Sequence, residues 1–144
     1  QEIIMLKHKI NRHGLASGKD DDYQVGVFAF TDNDELVLVT GRKSDEWILP
    51  KGNTAKRRSD REQAREEAYE EAGLEGKLEF KYFEFDVQGK VSKLRIYPMK
   101  VTKICKDFPE KKQRKRILTS FDEAERIAKN NYSEIIRELR KQIG

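Results

Sequence analysis

The pattern of hydrophobic and polar positions predicts strands that alternate with helices. We expect residues 1–20 to form an N-terminal extension or strand, because the hydrophobic IIML is followed by the polar, loop-like NRHGLASGKDDD. Two β-rich runs follow, YQVGVFAF and ELVLVTGR, and the turn-like TDND between them predicts a hairpin. A short apolar segment, EWILP, then ends at Pro50, and Gly52 falls with Lys51 in a predicted loop.

A helix is predicted from Asp60 to Ala72. Ser59 or Asp60 can cap its N-terminus, because Glu62 stands three residues after Ser59 as in a capping box. Gly73 suits the C-terminal end, where a left-handed backbone conformation closes many helices. Local sequence therefore specifies both ends of this helix.

The second half of the chain predicts three more strands and two more helices. Two of the strands, KLEFKYFEFDV and SKLRIYPMKVTKI, flank the turn-like QGK. In the first, the buried register changes near Tyr82 and Phe83, so we expect a β-bulge there. The third strand, RILTS, precedes the helix EAERIAKN, opened by Asp122 or Ser120, and the helix EIIRELRKQI, capped by Ser133.

This order of elements predicts an α/β protein of the α+β kind, with a mixed sheet sandwiched between helices. The 144 residues, 36% hydrophobic and 39% charged, suffice for one domain with a modest core, which we place at residues 21–144. Cys105 is the single cysteine, which excludes an internal disulfide framework, so we expect a cytoplasmic protein. We also expect it to be a monomer or a homodimer. No apolar run approaches the roughly 20 residues that a membrane helix needs.

The charge balance favours anionic ligands only weakly. Thirty basic and 26 acidic residues give a net charge of +4. The basic run KKQRKR is short and lacks interleaved aromatic residues, which argues against a nucleic-acid interface. A small phosphate-containing substrate fits this run better.

The predicted helix carries carboxylates on one face. At about 100° per residue, Glu67, Glu70 and Glu71 share an arc of roughly 100°. An adjacent stripe of small side chains lets the helix pack close to a sheet; it consists of Ala64, Ala68 and Ala72. Oxygen donors without His or Cys suit a hard cation such as Mg²⁺ or Mn²⁺. The alternative is that these glutamates form a solvated helix face.

The segment from Gly52 to Leu74 resembles the signature of the Nudix hydrolases, G-x5-E-x7-R-E-U-x-E-E-x-G-U, where U is an aliphatic residue. The spacing is the same, and the matching positions are Gly52, Glu67, Glu70, Glu71, Gly73 and Leu74. The preceding WILPKG is also typical of the family, and the resemblance covers about residues 23–129. It implies a Nudix-like fold and metal-dependent hydrolysis of a nucleoside diphosphate linked to another group, or of a related pyrophosphate.

The resemblance also implies roles for individual residues. Glu67, Glu70 and Glu71 are the expected metal ligands, with Glu67 and Glu70 also acting in catalysis. Members of the family often take the general base from a loop outside the signature, and Glu110 in DFPEKK is a candidate. The candidates for binding the substrate phosphates are Arg42, Lys43 and Lys51.

Within the family, the chain is most similar to the branch that acts on diphosphoinositol polyphosphates and dinucleoside polyphosphates. The segments that carry this similarity are WILPKG, EEAYEEAGL and FPEKKQRKRILTSFDEA. A Trp usually follows the basic run in that branch, and here Leu118 and its neighbours replace it. The alternative function is a catalytically impaired nucleotide-binding or regulatory module with the same fold.

Two positions depart from the signature. Arg58 stands where the family has Glu, and Glu66 stands where it has Arg. Because these two positions are expected to pair, the exchange predicts an ion pair of reversed polarity that braces the loop onto the helix. The alternative is that Arg65 replaces the missing Arg from the preceding position, although it points about 100° away from Glu66 on a helix.

The reversed pair can be tested by charge exchange. We expect Arg58→Glu or Glu66→Arg alone to lower the free energy of unfolding or the activity, because each places two like charges together. The double exchange should restore most of the loss. Urea unfolding and activity assays of all four proteins measure the coupling, and harmless single variants would contradict the hypothesis.

Overall fold

The structure is a computed structural model that describes residues 6–10, 22–87, 89 and 91–143. Of the predicted N-terminal extension, residues 1–5 and 11–20 lie outside the described residues. The strands are β1 (Leu6–Ile10), β2 (Tyr23–Phe30), β3 (Glu35–Thr40), β4 (Trp47–Ile48), β5 (Lys51–Asn53), β6 (Leu74–Leu78), β7 (Lys81–Asp86), β8 (Lys93–Ile104) and β9 (Arg116–Ser120). The helices are α1 (Asp60–Ala72), α2 (Phe121–Ile127) and α3 (Asn130–Ile143).

The described strands form one mixed sheet. Its main order is β1-β7-β8-β2-β3-β4, while β5 pairs with β2, β6 with β8 and β9 with β3. Strands β2 and β8 run parallel over Tyr23 to Phe30, and the other pairs are antiparallel. This central parallel pair makes the sheet mixed, as the sequence predicted.

Helices cover both faces of the sheet. On one face, the small side chains of Ala64, Ala68 and Ala72 pack in the same core as Val25 and Val27. On the other face, α2 and α3 complete a second core; its members include Phe28, Phe83, Ile135 and Leu139. The predicted sandwich is therefore confirmed. No helix within the described ranges is long and apolar enough to span a membrane.

Helix α1 begins and ends where the sequence predicted. Ser59 accepts a hydrogen bond from the Glu62 N–H at 3.0 Å, and the Glu62 carboxylate accepts one from the Ser59 N–H at 2.9 Å. Gly73 ends the helix with φ +66°, and a Cβ there would lie 2.6 Å from Phe108 Cδ1. Both the backbone conformation and the neighbouring ring therefore require glycine at this position.

The predicted hairpin is present but is paired over a short length. Strands β2 and β3 are antiparallel, with Phe30 opposite Leu36 as the paired position. Strand β8 pairs with the other edge of β2 along its whole length, and on the edge that faces β3 the first half of β2 pairs instead with β5, where Val25 lies opposite Gly52. The prediction of a loop at Lys51 and Gly52 was therefore wrong, because β2 recruits these residues as a short strand.

The predicted bulge near Tyr82 and Phe83 was also wrong. The segment forms two strands, β6 and β7, which separate at Glu79 and Phe80, and the register shift lies between Glu75 and Gly76. Tyr82 and Phe83 are both buried because they point into the two different cores. A sheet covered on both faces buries successive residues without any bulge.

The two last helices start differently from each other. Ser120 caps α2 and accepts a hydrogen bond from the Glu123 N–H at 3.1 Å, which confirms one of the two predicted caps. Helix α3 begins at Asn130, so the predicted cap at Ser133 was wrong. The Ser133 hydroxyl lies inside the helix and donates to the Glu125 carbonyl.

A buried ionic cluster lies where α1 begins above the sheet. Arg95 on β8 donates to Glu84 at 2.9 Å and to Asp60 at 3.3 Å, and its guanidinium stacks over the Tyr23 ring at 3.9 Å. Both carboxylates are almost fully buried. Tyr23 also donates to Asp60 at 3.0 Å. The cluster therefore fixes the first turn of α1 to β2 and β8.

We expect Arg95→Met to lower the free energy of unfolding by about 3 kcal/mol, because two buried carboxylates lose their shared cation. Lys100→Met on the same strand is the matched control. Lys100 pairs with Asp32 at 3.1 Å, but both side chains are largely exposed, so its loss should cost less than about 1 kcal/mol. Urea denaturation measures both values, and equal losses would contradict the assigned role of the cluster.

Candidate active site

A cleft of about 750 Å³ lies between α1, β5 and the loops that follow β3 and β8. Its acidic wall consists of Glu67, Glu70, Glu71 and Glu110, and its basic wall of Arg42, Lys43, Lys51 and Arg114. Every residue predicted to bind metal, act in catalysis or bind substrate therefore lies at this one cleft. Its size is within the usual range of small-molecule sites.

Glu67 lies directly against Gly52. A Cβ at Gly52 would lie 2.2 Å from Glu67 Cδ, so the carboxylate occupies space that any other residue at position 52 would fill. Gln63, one turn earlier on α1, donates from Nε2 to Glu67 Oε2 at 2.8 Å. The glycine and the glutamine together hold the Glu67 carboxylate at the floor of the cleft.

Glu71 is buried and held by two donors. Its Oε1 accepts from the Lys51 N–H at 3.1 Å, and its Oε2 accepts from Arg114 Nη2 at 3.1 Å. Burial raises the pKa of Glu71 to about 8, and the Arg114 charge and the Lys51 N–H offset only part of this rise. Burial likewise lowers the pKa of Lys51, whose Nζ donates to Gln24 Oε1 at 3.1 Å.

Glu70 is surrounded by other carboxylates. A hydrogen bond with Glu66, burial, and the charges of Glu66, Glu67 and Glu110 raise its pKa to about 7. Because the ordinary value is 4.5, the folded protein binds more protons at Glu70 than the unfolded chain does between these pH values. This group therefore makes the protein less stable as the pH rises from about 4.5 to about 7.

Glu110 reaches the cleft from the loop between β8 and β9. It accepts two hydrogen bonds from Arg42, at 3.2 and 3.0 Å, and one from Arg114 Nε at 2.8 Å. Burial raises the pKa of Glu110, but the two guanidiniums outweigh burial and hold the pKa below its ordinary value. The Glu110 carboxylate is therefore ionised and already held by two cations.

The same loop is joined to the last turn of α1 by its backbone. The Glu110 N–H donates to the Glu70 carbonyl at 2.9 Å, and the Cys105 N–H donates to the Gly73 carbonyl at 2.7 Å. Arg116 adds hydrogen bonds to the carbonyls of Ala72, at 2.7 Å, and of Cys105, at 2.9 Å. These contacts satisfy carbonyls that the end of a helix otherwise leaves without partners.

Arg114 is a member of the site that was not predicted from the sequence. Its side chain is 9% exposed and joins Glu71 to Glu110, and its Nη1 also donates to the Thr40 carbonyl at 2.8 Å. The available signal was its position four residues after Glu110, but in the run KKQRKR it resembled its solvated neighbours. Gln63 was also missed, although it precedes Glu67 by one helical turn.

Arg58 and Glu66 lie close to each other. Arg58 Nη1 is 3.7 Å from Glu66 Oε1, and the two side chains are 47% and 35% exposed. Such a pair contributes at most about 1 kcal/mol. Arg58 also donates to Gln63 Oε1 at 3.4 Å, which links it through Gln63 to Glu67.

The donor set at the cleft has the chemistry that a hard divalent cation requires. The four carboxylates offer the oxygen donors that such a cation prefers, and a hydrogen bond with Glu66, burial and the charges of neighbouring carboxylates raise the pKa of Glu70. Within the described part of the chain, however, no three His, Cys, Asp or Glu side chains are arranged as a closed set of metal ligands. Glu71 and Glu110 are instead held by arginines.

Comparisons with known proteins identify the fold. The sequence matches no protein-family model, and no curated protein matches it significantly. Among solved structures, a Bacillus subtilis pyrophosphohydrolase is similar with a TM-score of 0.65 and 17% identity, covering 96% of this chain and 91% of that chain. A C. elegans Ap4A hydrolase gives a TM-score of 0.63 and 19% identity, covering 85% of this chain and 96% of its own.

A third similar structure is a NUDIX-family hydrolase from Clostridium perfringens, with a TM-score of 0.65 and 16% identity over 87% of this chain and 99% of that one. Likeness at these identities establishes the fold. The predicted Nudix-like fold, with a mixed sheet between helices, is thereby confirmed.

The crowding of carboxylates at Glu70 predicts the effect of removing one of them. Glu66→Ala should lower the pKa of Glu70 by roughly one pH unit from its value of about 7, since it removes both a hydrogen bond and a like charge. Carboxyl-carbon NMR titration measures this change. Glu75→Ala, at an exposed carboxylate beyond the helix, should leave the pKa unchanged; an unchanged value in Glu66→Ala would contradict the electrostatic assignment.

Proposed function

We propose that this protein is a Nudix hydrolase that cleaves a phosphoanhydride bond in a small phosphate-rich substrate with the help of Mg²⁺ or Mn²⁺. The observation that carries the proposal is the cleft itself. It gathers the three signature carboxylates, Glu67, Glu70 and Glu71, opposite a basic wall within a fold that pyrophosphohydrolases also have. Hydrolysis of a pyrophosphate needs both walls. The basic wall would bind the anion, and the acidic wall would hold the cation that helps water to attack it.

The acidic wall would hold the cation. Glu67 and Glu70 are the ligands that we propose, with Glu71 completing the set. When bound, a divalent cation neutralises phosphate charge and lowers the pKa of bound water. Glu67 is positioned for this role because Gln63 and Gly52 fix its carboxylate at the floor of the cleft.

The basic wall would bind and orient the phosphates. Arg42 and Lys43 stand at the end of β3, and Lys51 presents its ammonium group next to Gln24. Glu110 was predicted as a candidate general base. A carboxylate that accepts from two guanidiniums is a poor proton acceptor, so we propose instead that Glu110 positions Arg42 toward the substrate.

The substrate class that we favour is a dinucleoside polyphosphate or a diphosphoinositol polyphosphate. The basic residues around the cleft suit a polyanion better than a thinly charged sugar nucleotide. The second candidate function is a nucleotide-binding or regulatory module without turnover. It is favoured by one observation, the engagement of Glu71 and Glu110 by Arg114, which competes with metal for their oxygens.

A substrate panel tests the proposed reaction. It contains dinucleoside polyphosphates, diphosphoinositol polyphosphates, ADP-ribose and nucleoside triphosphates, each with Mg²⁺, with Mn²⁺ or with a chelator. We expect turnover that requires the metal, and Glu70→Gln should lower kcat by roughly a hundredfold or more, because a metal ligand at the reacting centre is lost.

Glu75→Gln is the matched control, since it removes an exposed carboxylate of the neighbouring strand. Its kcat should remain that of the wild type. Absence of turnover on the whole panel, in a folded protein that still binds a nucleotide, would overturn the hydrolase and support the binding module. Turnover that continues in the chelator would overturn the proposed metal dependence.

A further inference from the structure

A second cleft, of about 330 Å³, lies beside the candidate active site. The two clefts share Gly41, Arg42, Lys43 and Arg114, so they are continuous along this wall. We call the second one the basic cleft and define it by the residues Arg42, Lys43, Ser44, Lys112, Arg114 and Lys115. Of the described residues that line it, five are cationic and one, Asp45, is acidic.

Three of these cations have little local compensation. Lys43 and Lys112 have no ion-pair partner among the described residues. Lys115 lies 3.8 Å from Asp45, but the two side chains are 73% and 93% exposed, and such a pair contributes little. The basic cleft therefore carries an excess of positive charge that the fold itself does not use.

The run KKQRKR does not form one continuous basic surface. Lys111 pairs with Asp107 at 3.0 Å, while Arg114 and Arg116 turn inward to carboxylates and backbone carbonyls. Lys112 and Lys115 are the two lysines of the run that line the basic cleft, and neither pairs with a buried carboxylate that the structure describes. A long nucleic acid needs basic groups spaced along its backbone, whereas this arrangement concentrates them in a small concave site.

We infer that the basic cleft is a subsite for substrate phosphates remote from the cleaved anhydride. This inference rests on the proposed function, in which the candidate active site binds the reacting pyrophosphate. A further phosphate group would extend past Arg42 and meet Lys112 and Lys115. The subsite thus selects small molecules with three or more phosphate groups over simple diphosphates.

Binding of inorganic phosphates without metal tests the subsite directly. Tripolyphosphate and pyrophosphate are titrated into the full chain by calorimetry in the presence of a chelator. The Lys112→Gln and Lys115→Gln double variant should bind tripolyphosphate roughly tenfold to a hundredfold more weakly than the wild type, because two charge-assisted contacts are lost. Pyrophosphate, which is one phosphate shorter, should bind the wild type more weakly than tripolyphosphate does.

Lys111→Gln is the matched control, because it removes a neighbouring lysine of the same run that faces Asp107. It should bind both anions as the wild type does. Equal weakening in the control and the double variant would overturn the subsite, since general charge would then explain binding. So would a wild type that does not bind tripolyphosphate, or a double variant that binds it normally.

A single-stranded oligonucleotide without terminal phosphates provides a further arm. Tighter binding of the oligonucleotide than of tripolyphosphate would overturn the small-anion subsite in favour of a nucleic-acid surface. These measurements distinguish failure of the anion subsite from failure of the proposed hydrolase. Tripolyphosphate binding that depends on Lys112 and Lys115 in a protein with no turnover would keep the anion site and reject the hydrolase. Turnover with unchanged binding by the double variant would keep the hydrolase and reject the subsite.

Discussion

The close packing of α1 on the sheet is the constraint on which the site depends. Alanines at the contact face let the helix lie against the strands, and this proximity brings the Glu67 carboxylate into the space beside Gly52. A larger side chain at either surface would separate them. The packing of the core and the position of the acidic groups are therefore set by the same contact, so that small residues at this interface serve both stability and chemistry.

That packing places several carboxylates in one partly buried region, which is electrostatically unfavourable. Guanidinium groups from two separate segments offset part of this repulsion. Arg114 forms ion pairs with both Glu71 and Glu110, and Arg42, which follows β3, forms a second ion pair with Glu110. Burial is the main cause of the raised pKa of Glu71, whereas a hydrogen bond with Glu66, burial and the charges of neighbouring carboxylates raise the pKa of Glu70. A bound cation would have its largest electrostatic effect there.

Sequence reasoning succeeded where the determinants were local. The bounds of α1 follow from a capping box and a terminal glycine, and both are encoded within a few residues. It failed where a distant strand decides the outcome. Lys51 and Gly52 become β5 only because β2 has a free edge for them, and successive residues of β7 are buried because helices cover both faces of the sheet.

The same distinction applies to the site. Glu67, Glu70 and Glu71 were predictable because the helical period places them on one face. Arg114 was not, because its role comes from partners 43 residues away on α1 and 74 residues away on β3. The sequence of a lysine- and arginine-rich run does not indicate which side chain points into the protein. The path of the loop determines this.

The backbone hydrogen bonds between the loop of residues 105–115 and the last turn of α1 have a consequence for motion. Helix ends ordinarily fray in isolation, and loops ordinarily move independently of the elements beside them. Here, the carbonyls of Glu70 and Gly73 are occupied by the loop, so neither partner can open without releasing the other. The end of the helix and the loop form one cooperative unit, and local opening would dismantle the acidic and basic walls of the cleft together.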